Sequence, residues 1–575
     1  MKTHPNFIAI VILAAASTAF AASATWELNP TSDAWTVAAN WTPQTVPNDP
    51  TDVATFDASN ITAIAISRTR VVAVAEIVFD PGASAYTISA SGILNIFGAG
   101  ITNNSGVEQN LVVPGFGSSI RFRKSATAGD NTVLVQSGGG SSVDATQIVF
   151  RDRSSAGSAT FISEGNAQAN SGMQFHDSAT AANASFYVQA SSGNSGLTTF
   201  NNDSTAGNAT IFCEGGSSSE HNPGQVFFNN NSSAENATII LNSALDANGS
   251  VGEVKFNDRT SAANATIIAE GATAPAAGGG YVQFFDSAMA ANASFIINGG
   301  TNDGYGGTLQ FWFASLGGPA QVNLLGNGTL DLTHHDLGSL SIGSLAGEGL
   351  VRLGTTNLIV GTNNFTTEFS GNISDNLEPP FASLTKTGAG NFALAGANDY
   401  GGGTFVEGRG ILFVNNVTGS GTGSGAVQVN SSVLGGNGII SGPVIIGNGV
   451  PSAARLMPGR NDRNPGVLTI ANLLSFRSDG TYVWLLNSAR GIASSLVAKG
   501  VTIDSAALFS PAQLQSGTLN VGTVFTVINN NGSAAIAGTF SNLPDGGTIT
   551  VGNNTFQANY EGGDGNDLTL TIISN

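Results

Sequence analysis

A phenylalanine recurs at nearly constant spacing through the middle of the chain, and this repeat constrains the fold more than any other feature. The intervals between successive anchors take two values, about 25 and about 28 residues. An alanine stands six positions after every anchor, and a serine or threonine stands ten positions after it. The anchors are Phe122, Phe150, Phe175, Phe200, Phe228, Phe256 and Phe284. Because seven copies keep the same internal offsets, this part of the chain is built from a structural repeat.

Each repeat holds two short runs of β-forming residues. One run ends at the anchor, as in Gln225–Phe228, and the other begins at the serine or threonine, as in Thr238–Leu241. Gly, Ser, Asn and Asp fill the intervals between the runs, and these residues favour turns. A helical repeat would need Leu, Ala, Glu and Lys at helical spacing, which these units lack. The pattern therefore indicates strands separated by tight turns.

A unit of this size buries its apolar face only by stacking on its neighbours. The repeat predicts an all-β fold, a right-handed parallel β-helix (β-solenoid) whose handedness follows the general rule for parallel crossovers. One turn of the solenoid should correspond to one repeat, so each rung should contain about 25–28 residues. Identical positions then lie above one another at the strand spacing of about 4.8 Å. We expect the anchors to form an internal aromatic stack and the Asn-Ala-Ser/Thr triplets to form a ladder at a corner.

The composition agrees with a solenoid and excludes several other classes. Only 10% of the residues are charged, against about 25% in ordinary globular domains. A charge in the repeat would meet its own copy one rung away, so we expect uncharged Asn, Ser and Thr at the outer positions and no convergence of charged residues on adjacent rungs. The net charge of −19 argues against a nucleic-acid or anionic-membrane partner. A single cysteine excludes an internal disulfide.

The segment 1–24 has the features of a secretory signal peptide. Lys2 supplies a positive start, an apolar stretch covers positions 7–16, and small residues follow at 19–24 in two A-x-A patterns. The apolar stretch is shorter than the roughly 20 residues that span a bilayer. We therefore expect a secreted or cell-surface protein whose mature chain contains no transmembrane segment.

Residues 384–416 carry two specific motifs, LTKTGAG at 384–390 and GAN-x-Y-x-GGT at 396–404. This segment resembles the autotransporter-associated β-strand repeat of bacterial autotransporter passengers. Looser similarity extends over residues 343–373, over 435–443 and over the Trp-rich opening at 26–56. The resemblance implies an extracellular β-helical passenger with an adhesive or structural role.

One departure from the autotransporter pattern bears on export. Autotransporters end in a membrane barrel built from many alternating segments of about ten residues. Residues 417–575 contain Gly-rich turns instead of such a series, and the chain ends at Asn575. We therefore expect a passenger-like chain lacking a recognisable C-terminal translocator barrel, released freely or retained by another factor.

These features divide the sequence into six parts. The predicted parts are a signal peptide (1–24), an N-terminal β-rich entry or cap region (25–120), the seven-copy repeat (121–300), an irregular solenoid continuation (301–383), the autotransporter-associated repeat (384–416) and a C-terminal β-rich region with a cap (417–575).

The histidines offer weak candidate sites. His176 follows an anchor where other repeats have Arg or Asn, which indicates a solvent-facing variant, and His221 falls in the loop whose length varies. The run from Asp331 to Asp336 contains His334 and His335 and is the one cluster with acid–base or metal potential. Because adjacent strand residues face opposite sides, both histidines would bind one ion only in a turn. An incidental role is favoured.

Three further features have structural explanations. Residues 562–570 fit one copy of the Ca²⁺-binding nonapeptide, but a Ca²⁺ cage needs successive copies, so a turn into the last strand is favoured. Cys213 replaces Val or Leu of other repeats and should be a small buried hydrophobe. A corner ladder explains the repeated Asn-x-Ser/Thr sequons without glycosylation. These sequons begin at Asn183, Asn208, Asn236, Asn264 and Asn292.

Two function classes remain. The first is a non-catalytic, structural or adhesin-like surface protein, with an extracellular glycan or a host or neighbouring cell surface as partner. The second is a β-helical polysaccharide lyase or glycoside hydrolase, because fold alone does not decide function. Such an enzyme needs a pair of carboxylates, or a Ca²⁺–carboxylate cluster with a basic group. The regular repeat shows neither, so we predict no enzyme, no catalytic or metal-binding residues and no cofactor.

Overall fold

The computed structural model describes residues 22–115, 117–137, 146–165, 172–192, 196–218, 221–376, 381–450 and 453–575. The predicted signal peptide lies almost entirely outside them. The described residues contain no α-helix and one short 3-10 helix, Ala38–Asn40. Long parallel sheets run along the axis of the molecule, so the prediction of an all-β parallel solenoid is confirmed. No helix in the described part is long and apolar enough to cross a membrane.

The first sheet has 16 strands and carries the phenylalanine anchors. Its strands are parallel except for the first pair. In spatial order they are Trp41–Thr42, Ala24–Trp26, Val53–Phe56, Val71–Phe79, Ile93–Asn103, Ser119–Phe122, Gln147–Phe150, Gly172–Phe175, Leu197–Phe200, Gln225–Phe228, Glu253–Phe256, Tyr281–Phe284, Thr308–Phe311, Thr329–Asp331, Leu350–Arg352 and Asn372–Ser374.

The second sheet faces the first across the core and continues as far as Gln515. Two short antiparallel strands, Asn464–Pro465 and Ile492–Ala493, pair with its last members. Its parallel strands are Ala63–Ile66, Thr87–Ala90, Gln109–Val113, Thr132–Gln136, Thr160–Ser163, Ser185–Val188, Thr210–Cys213, Thr238–Leu241, Thr266–Ala269, Ser294–Ile297, Gln321–Leu324, Ser344–Gly347, Thr367–Phe369, Phe392–Leu394, Ile411–Val414, Val433–Gly436, Arg455–Asn461, Thr481–Asn487 and Leu508–Gln515.

The third side of the solenoid changes along the axis. In the repeat it is a row of single β-bridges, from Thr127 to Leu316. From Ser339 onward it becomes a sheet of eight parallel strands. These strands are Ser339–Ile342, Asn357–Val360, Leu384–Lys386, Thr404–Val406, Val427–Val429, Val444–Ile446, Leu474–Phe476 and Val501–Ile503.

A fourth sheet replaces the first sheet at the C-terminal end. Its strands are, in spatial order, Ile439–Ile440, Val467–Ile470, Ser495–Ala498, Val524–Asn530, Asp567–Ser574, Asn554–Gly562 and Thr548–Val551. The last three are antiparallel and close that end of the solenoid. One further antiparallel pair, Ser191–Ser192 with His221–Asn222, joins two loops of the repeat.

The core of the repeat is a continuous column of phenylalanine rings. The seven anchors and Phe311 are fully buried. Successive ring centroids lie 4.5 to 5.1 Å apart, with interplanar angles of 3° to 14°. Trp26, Trp35 and Trp41 pack around Phe56 at the N-terminal end of the core. The predicted internal stack is therefore present, and an aromatic cluster covers its first turns.

Two side-chain ladders stabilise the turns. The sequon asparagines form the predicted corner ladder, in which the Nδ2 of each donates to the Oδ1 of the preceding one at 3.0 to 3.2 Å. A second ladder, which the sequence did not predict, stands two positions after the anchors. There Asp or Asn residues with positive φ accept the backbone N–H of the preceding rung, as Asp258 does from Asn230 at 2.7 Å. Both ladders use short polar side chains that satisfy turn backbone.

Among the described residues, Lys386 is the one fully buried lysine, and its side chain points into the core from the third sheet. It occupies the inward position between Val360 and Val406 on neighbouring strands and is fully buried. Its Nζ donates to the carbonyls of Thr387 and Gly388 at 3.0 and 3.1 Å. Burial lowers the pKa of the Lys386 ammonium to about 8, because an apolar environment disfavours the charged form.

This lowered pKa predicts a pH dependence of stability. The unfolded pKa is about 10.4, so between pH 8 and 10 the unfolded chain binds more protons and the free energy of unfolding rises with pH. The wild type should gain about 1–2 kcal/mol relative to Lys386→Met between pH 7 and 9.5. Urea unfolding at several pH values measures the difference. Parallel pH curves for the two proteins would refute the assignment.

Candidate binding cleft

The outer face of the first sheet changes character along the axis. In strand Glu253–Phe256 the residues Val254 and Phe256 are buried, whereas Glu253 and Lys255 face outward. Lys255 Nζ and Glu253 Oε1 form an ion pair at 2.7 Å. In the next strand the equivalent positions carry Tyr281 and Gln283. An aromatic and an amide side chain therefore replace the ion pair one rung further along the axis.

A cleft of about 540 Å³ opens on this outer face beside Tyr281. Gln310, Asp331 and Arg352 lie on three successive strands, with Gln310 opposite Asp331 and Asp331 opposite Arg352. Tyr281 and Tyr305 also line the cleft, and they expose 36% and 62% of their surface. Its volume falls in the range of small-molecule sites. The cleft therefore combines two exposed aromatic rings with polar groups on a rigid sheet.

Glycines shape one rim of the cleft. A Cβ at Gly279 would lie 2.4 Å from the backbone of Gly306, and a Cβ at Gly306 would lie 2.5 Å from the carbonyl oxygen of Asn327. Only glycine permits this close approach of successive turns. The rim therefore consists of bare backbone beside Tyr281 and Tyr305.

Two glutamines form a fixed pair on the outer face. Gln310 Oε1 accepts hydrogen bonds from Gln283 Nε2 at 2.7 Å and from Trp312 Nε1 at 3.3 Å. Gln283 is 9% exposed, and its Oε1 has no hydrogen-bond partner in the described structure. These bonds orient the Gln310 amide, whose Nε2 makes no hydrogen bond within the described residues. A donor held in this way suits a polar ligand.

An aromatic column continues from the cleft to the corner of the sheet. Phe285 and Trp312 lie 5.6 Å apart between ring centroids, and the His334 ring stacks on Trp312 at 3.9 Å. In the preceding rungs the same position carries hydrogen-bonded asparagines such as Asn229 and Asn257. The change from amides to rings begins at the same rung as the cleft.

Asp331 and Arg352 supply the charges of the cleft. Asp331 Oδ1 accepts hydrogen bonds from the backbone N–H and the hydroxyl of Thr333 at 3.0 and 2.7 Å. Although Asp331 and Arg352 are opposite in register, they form no ion pair in the described structure. Asp331 contributes the one carboxylate of the cleft lining. Both charged groups therefore retain free hydrogen-bonding capacity.

The structure separates the two histidines of the predicted cluster. His334 and His335 lie in the turn after Thr329–Asp331, which is the arrangement that a shared ion would need. However, His334 is exposed against Trp312, whereas His335 is buried and donates from Nε2 to the Ser315 carbonyl at 3.0 Å. Within the described residues no group of three or more His, Cys, Asp or Glu side chains is placed to hold a metal ion.

The other histidines have local partners. His176 is half-buried on the outer surface and its Nε2 donates to Gln174 Oε1 at 3.2 Å. Burial, followed by the charge of Arg151, lowers the pKa of His176. His221 lies in the loop strand His221–Asn222, where its Nδ1 is hydrogen bonded to Ser217 Oγ at 2.9 Å.

The remaining sequence candidates have the structural roles predicted for them. Cys213 is fully buried between Val188 and Leu241 on neighbouring strands, and burial raises the pKa of its thiol. Residues 563–566 form the turn that joins strand Asn554–Gly562 to strand Asp567–Ser574. In that turn region Asp567 Oδ1 accepts the backbone N–H of Asn530 at 2.8 Å.

The expectation that no charged residues converge on adjacent rungs of the repeat is wrong at its first two turns. Arg121 lies on strand Ser119–Phe122, and Arg123 and Arg151 each follow an anchor. The backbone N–H of Arg151 bonds the Phe122 carbonyl at 3.0 Å, which places Arg151 one rung above Arg123. We call Arg121, Arg123 and Arg151 the basic cluster. The cluster could have been predicted from the residue that follows each anchor, because the first two repeats have Arg there and later repeats have His or Asn.

Comparison with known proteins finds similarity to a family model and to solved structures. Residues 384–412 match the family model described as passenger-associated-transport-repeat, which confirms the resemblance to autotransporter passenger repeats in this segment. No curated protein matches the chain. Among solved structures, the Haemophilus influenzae Hap adhesin is similar with 8% identity and a TM-score of 0.31. The match covers 92% of this chain, which spans 65% of the length of that one.

Proposed function

We propose that this chain is a secreted or cell-surface, adhesin-like protein that binds an extracellular glycan in the cleft without cleaving it. The observation that carries the proposal is the cleft itself, in which Tyr281 and Tyr305 flank the polar side chains of Gln310, Asp331 and Arg352. The predicted signal peptide and the passenger-repeat match support a role outside the cell.

The chemistry of the cleft suits sugars. A pyranose has apolar C–H faces that pack on aromatic rings, and tyrosine offers such a ring with a polar tip. Its hydroxyls donate and accept hydrogen bonds, which the amide of Gln310, the carboxylate of Asp331 and the guanidinium of Arg352 complement. Because these groups stand on successive strands of one sheet, they form a preorganised surface.

The arrangement favours binding over hydrolysis. Glycosidases canonically place two carboxyl groups about 5–10 Å apart across the scissile bond. In the cleft lining Asp331 is the one carboxylate, and the nearest outward acid on the same sheet, Glu253, stands three strands away in an ion pair with Lys255. A sugar in the cleft would therefore meet one carboxylate, that of Asp331, and one guanidinium group, that of Arg352. These two groups can orient the sugar but do not form the pair of carboxyl groups that hydrolysis needs.

Replacing both tyrosines should abolish most glycan binding. A glycan array first identifies the polysaccharide that the full-length protein binds best. For this ligand, Tyr281→Ala/Tyr305→Ala should weaken binding at least about tenfold, because removal of ring contacts at a site costs about 1–3 kcal/mol. Titration calorimetry measures the loss. When the wild-type protein is incubated with the same polysaccharide, an assay for new reducing ends should detect none.

Tyr187→Ala is the matched control. Tyr187 is 41% exposed on the second sheet and stacks on Phe212 at 5.2 Å, away from the cleft. This variant should bind as the wild type does. Equal binding by all three proteins would refute the cleft as the site, and release of reducing ends by the wild type would refute the non-catalytic role.

A further inference from the structure

The basic cluster has no explanation in the fold. After the anchors Phe122 and Phe150 stand Arg123 and Arg151, whereas after Phe200, Phe228 and Phe256 the same position carries asparagines. Those asparagines form a ladder, in which Asn229 donates to Asn201 and Asn257 donates to Asn229 at 3.1 and 3.0 Å. An asparagine therefore satisfies this position, and a stack of arginines is not required.

The stacked arginines repel one another. Successive rungs lie about 4.8 Å apart, and at this separation like charges oppose each other. Arg121, Arg123 and Arg151 are half-buried, and none of them forms an ion pair with an acidic side chain in the described structure. Burial, together with the charges of Arg123 and Arg151, lowers the pKa of Arg121. The cluster is therefore electrostatically strained until an anion neutralises it.

The neighbouring acids do not neutralise the cluster, because the turn engages them. Asp152 Oδ2 accepts the backbone N–H of Lys124 at 2.8 Å, and Asp177 Oδ2 accepts that of Asp152 at 3.0 Å. Lys124 itself lies over the ring of Phe97, with Nζ 5.9 Å from the centroid. The three guanidinium groups therefore keep no acidic partner among the described residues, and the exposed side chains of Lys124 and Arg153 add positive charge beside them.

We propose that the basic cluster binds the carboxylate or sulfate groups of an anionic polysaccharide. Guanidinium groups recognise such oxyanions in a bidentate manner. The cluster lies on the same outer face as the cleft, five rungs away from Tyr281, which corresponds to about 24 Å along the axis. The choice of a glycan rests on the proposed function, because an extended sugar chain along this face reaches both places.

The experiment measures binding of dextran sulfate and of uncharged dextran to the full-length protein at two salt concentrations. The variant Arg121→Gln/Arg123→Asn/Arg151→Asn introduces the amides that later rungs already carry. Its thermal unfolding midpoint should therefore be no lower than that of the wild type. It should bind dextran sulfate at least tenfold more weakly and with a smaller salt dependence. The single variant Arg151→Asn should show an intermediate loss.

The matched control is Arg409→Asn/Arg463→Asn/Arg490→Asn, which removes the same charge from exposed sites elsewhere. It should change binding less than twofold. Equal losses in both triple variants, or equal binding by wild type and cluster variant, would overturn the proposal. Duplex DNA that displaces dextran sulfate at equal charge concentration would overturn its assignment to a glycan. Tyr281→Ala/Tyr305→Ala should weaken dextran sulfate binding without lowering its salt dependence, whereas the cluster variant should lower the salt dependence, so a failure of the cleft is distinguishable from a failure of the cluster.

Discussion

Phe228→Ala should lower the free energy of unfolding of the repeat by about 3–5 kcal/mol, because a large side chain is removed from a fully packed column. Phe228 is completely buried, and its ring lies 4.8 Å from that of Phe200 and 4.7 Å from that of Phe256. The deletion leaves a cavity that both neighbours line. In a solenoid each rung contacts only its neighbours, so the loss should be local. Hydrogen exchange should therefore accelerate in the strands 197–200, 225–228 and 253–256 before other rungs open.

The control for this prediction is Phe365→Ala. Phe365 lies in the loop before strand Thr367–Phe369 and is 52% exposed, so its removal should cost less than about 0.5 kcal/mol. Urea unfolding and hydrogen exchange compare the two variants directly. If both lose the same stability, or if exchange accelerates uniformly along the chain, the phenylalanine column is not the element that holds successive rungs together.

The fold was predictable where the repeat is strict. The anchors and the sequon asparagines recur at fixed offsets, and stacking follows from that periodicity alone. The second turn ladder was not predictable in the same way, because its position carries Lys124, Asp152 and Asn202 in different copies. These residues share a left-handed backbone conformation, and the Asp and Asn side chains share an acceptor oxygen. A comparison of residue identities between repeats does not reveal the shared backbone conformation.

The cleft escaped prediction because the rung length changes there. The step from Gln283 to Gln310 is close to the spacing of the earlier repeats, whereas Gln310, Asp331 and Arg352 follow one another at shorter intervals. The rungs shorten where the long loop of the repeat is lost and the third sheet begins at Ser339. Extending the repeat at its earlier spacing places these side chains in the wrong column. Only the register of the folded sheet brings the side chains of Gln310, Asp331 and Arg352 together.

The motif that carries the family resemblance has a structural role in this molecule. Within LTKTGAG, Lys386 is buried and bonds the carbonyls of the following turn. Gly388 follows with φ of +72°, and a Cβ there would lie 2.0 Å from the carbonyl oxygen of Gly361 on the preceding rung. The motif therefore encodes how one rung turns beneath the next. Its match to passenger repeats indicates the shape of the solenoid, whereas the cleft and the basic cluster stand outside it.

Gly388→Ala should accordingly be strongly destabilising, by about 2–5 kcal/mol in total. A left-handed backbone costs a residue with a Cβ about 1–2 kcal/mol, and forcing an atom into a packed site adds about 1–3 kcal/mol. The obstacle is a backbone carbonyl, which moves only if the whole rung moves. Urea unfolding measures the loss, and hydrogen exchange should locate it in the third-sheet strands Asn357–Val360, Leu384–Lys386 and Thr404–Val406.

Gly106→Ala separates the two contributions. Gly106 has φ of +79°, close to that of Gly388, but a Cβ there would meet no atom within 4 Å. This variant should lose only the conformational part, about 1–2 kcal/mol, so the difference between the two variants measures the contact between rungs. Equal losses at Gly388 and Gly106 would mean that backbone conformation alone requires the motif glycine. A larger loss at Gly388 would show that the glycine is required because the rungs stack at this distance.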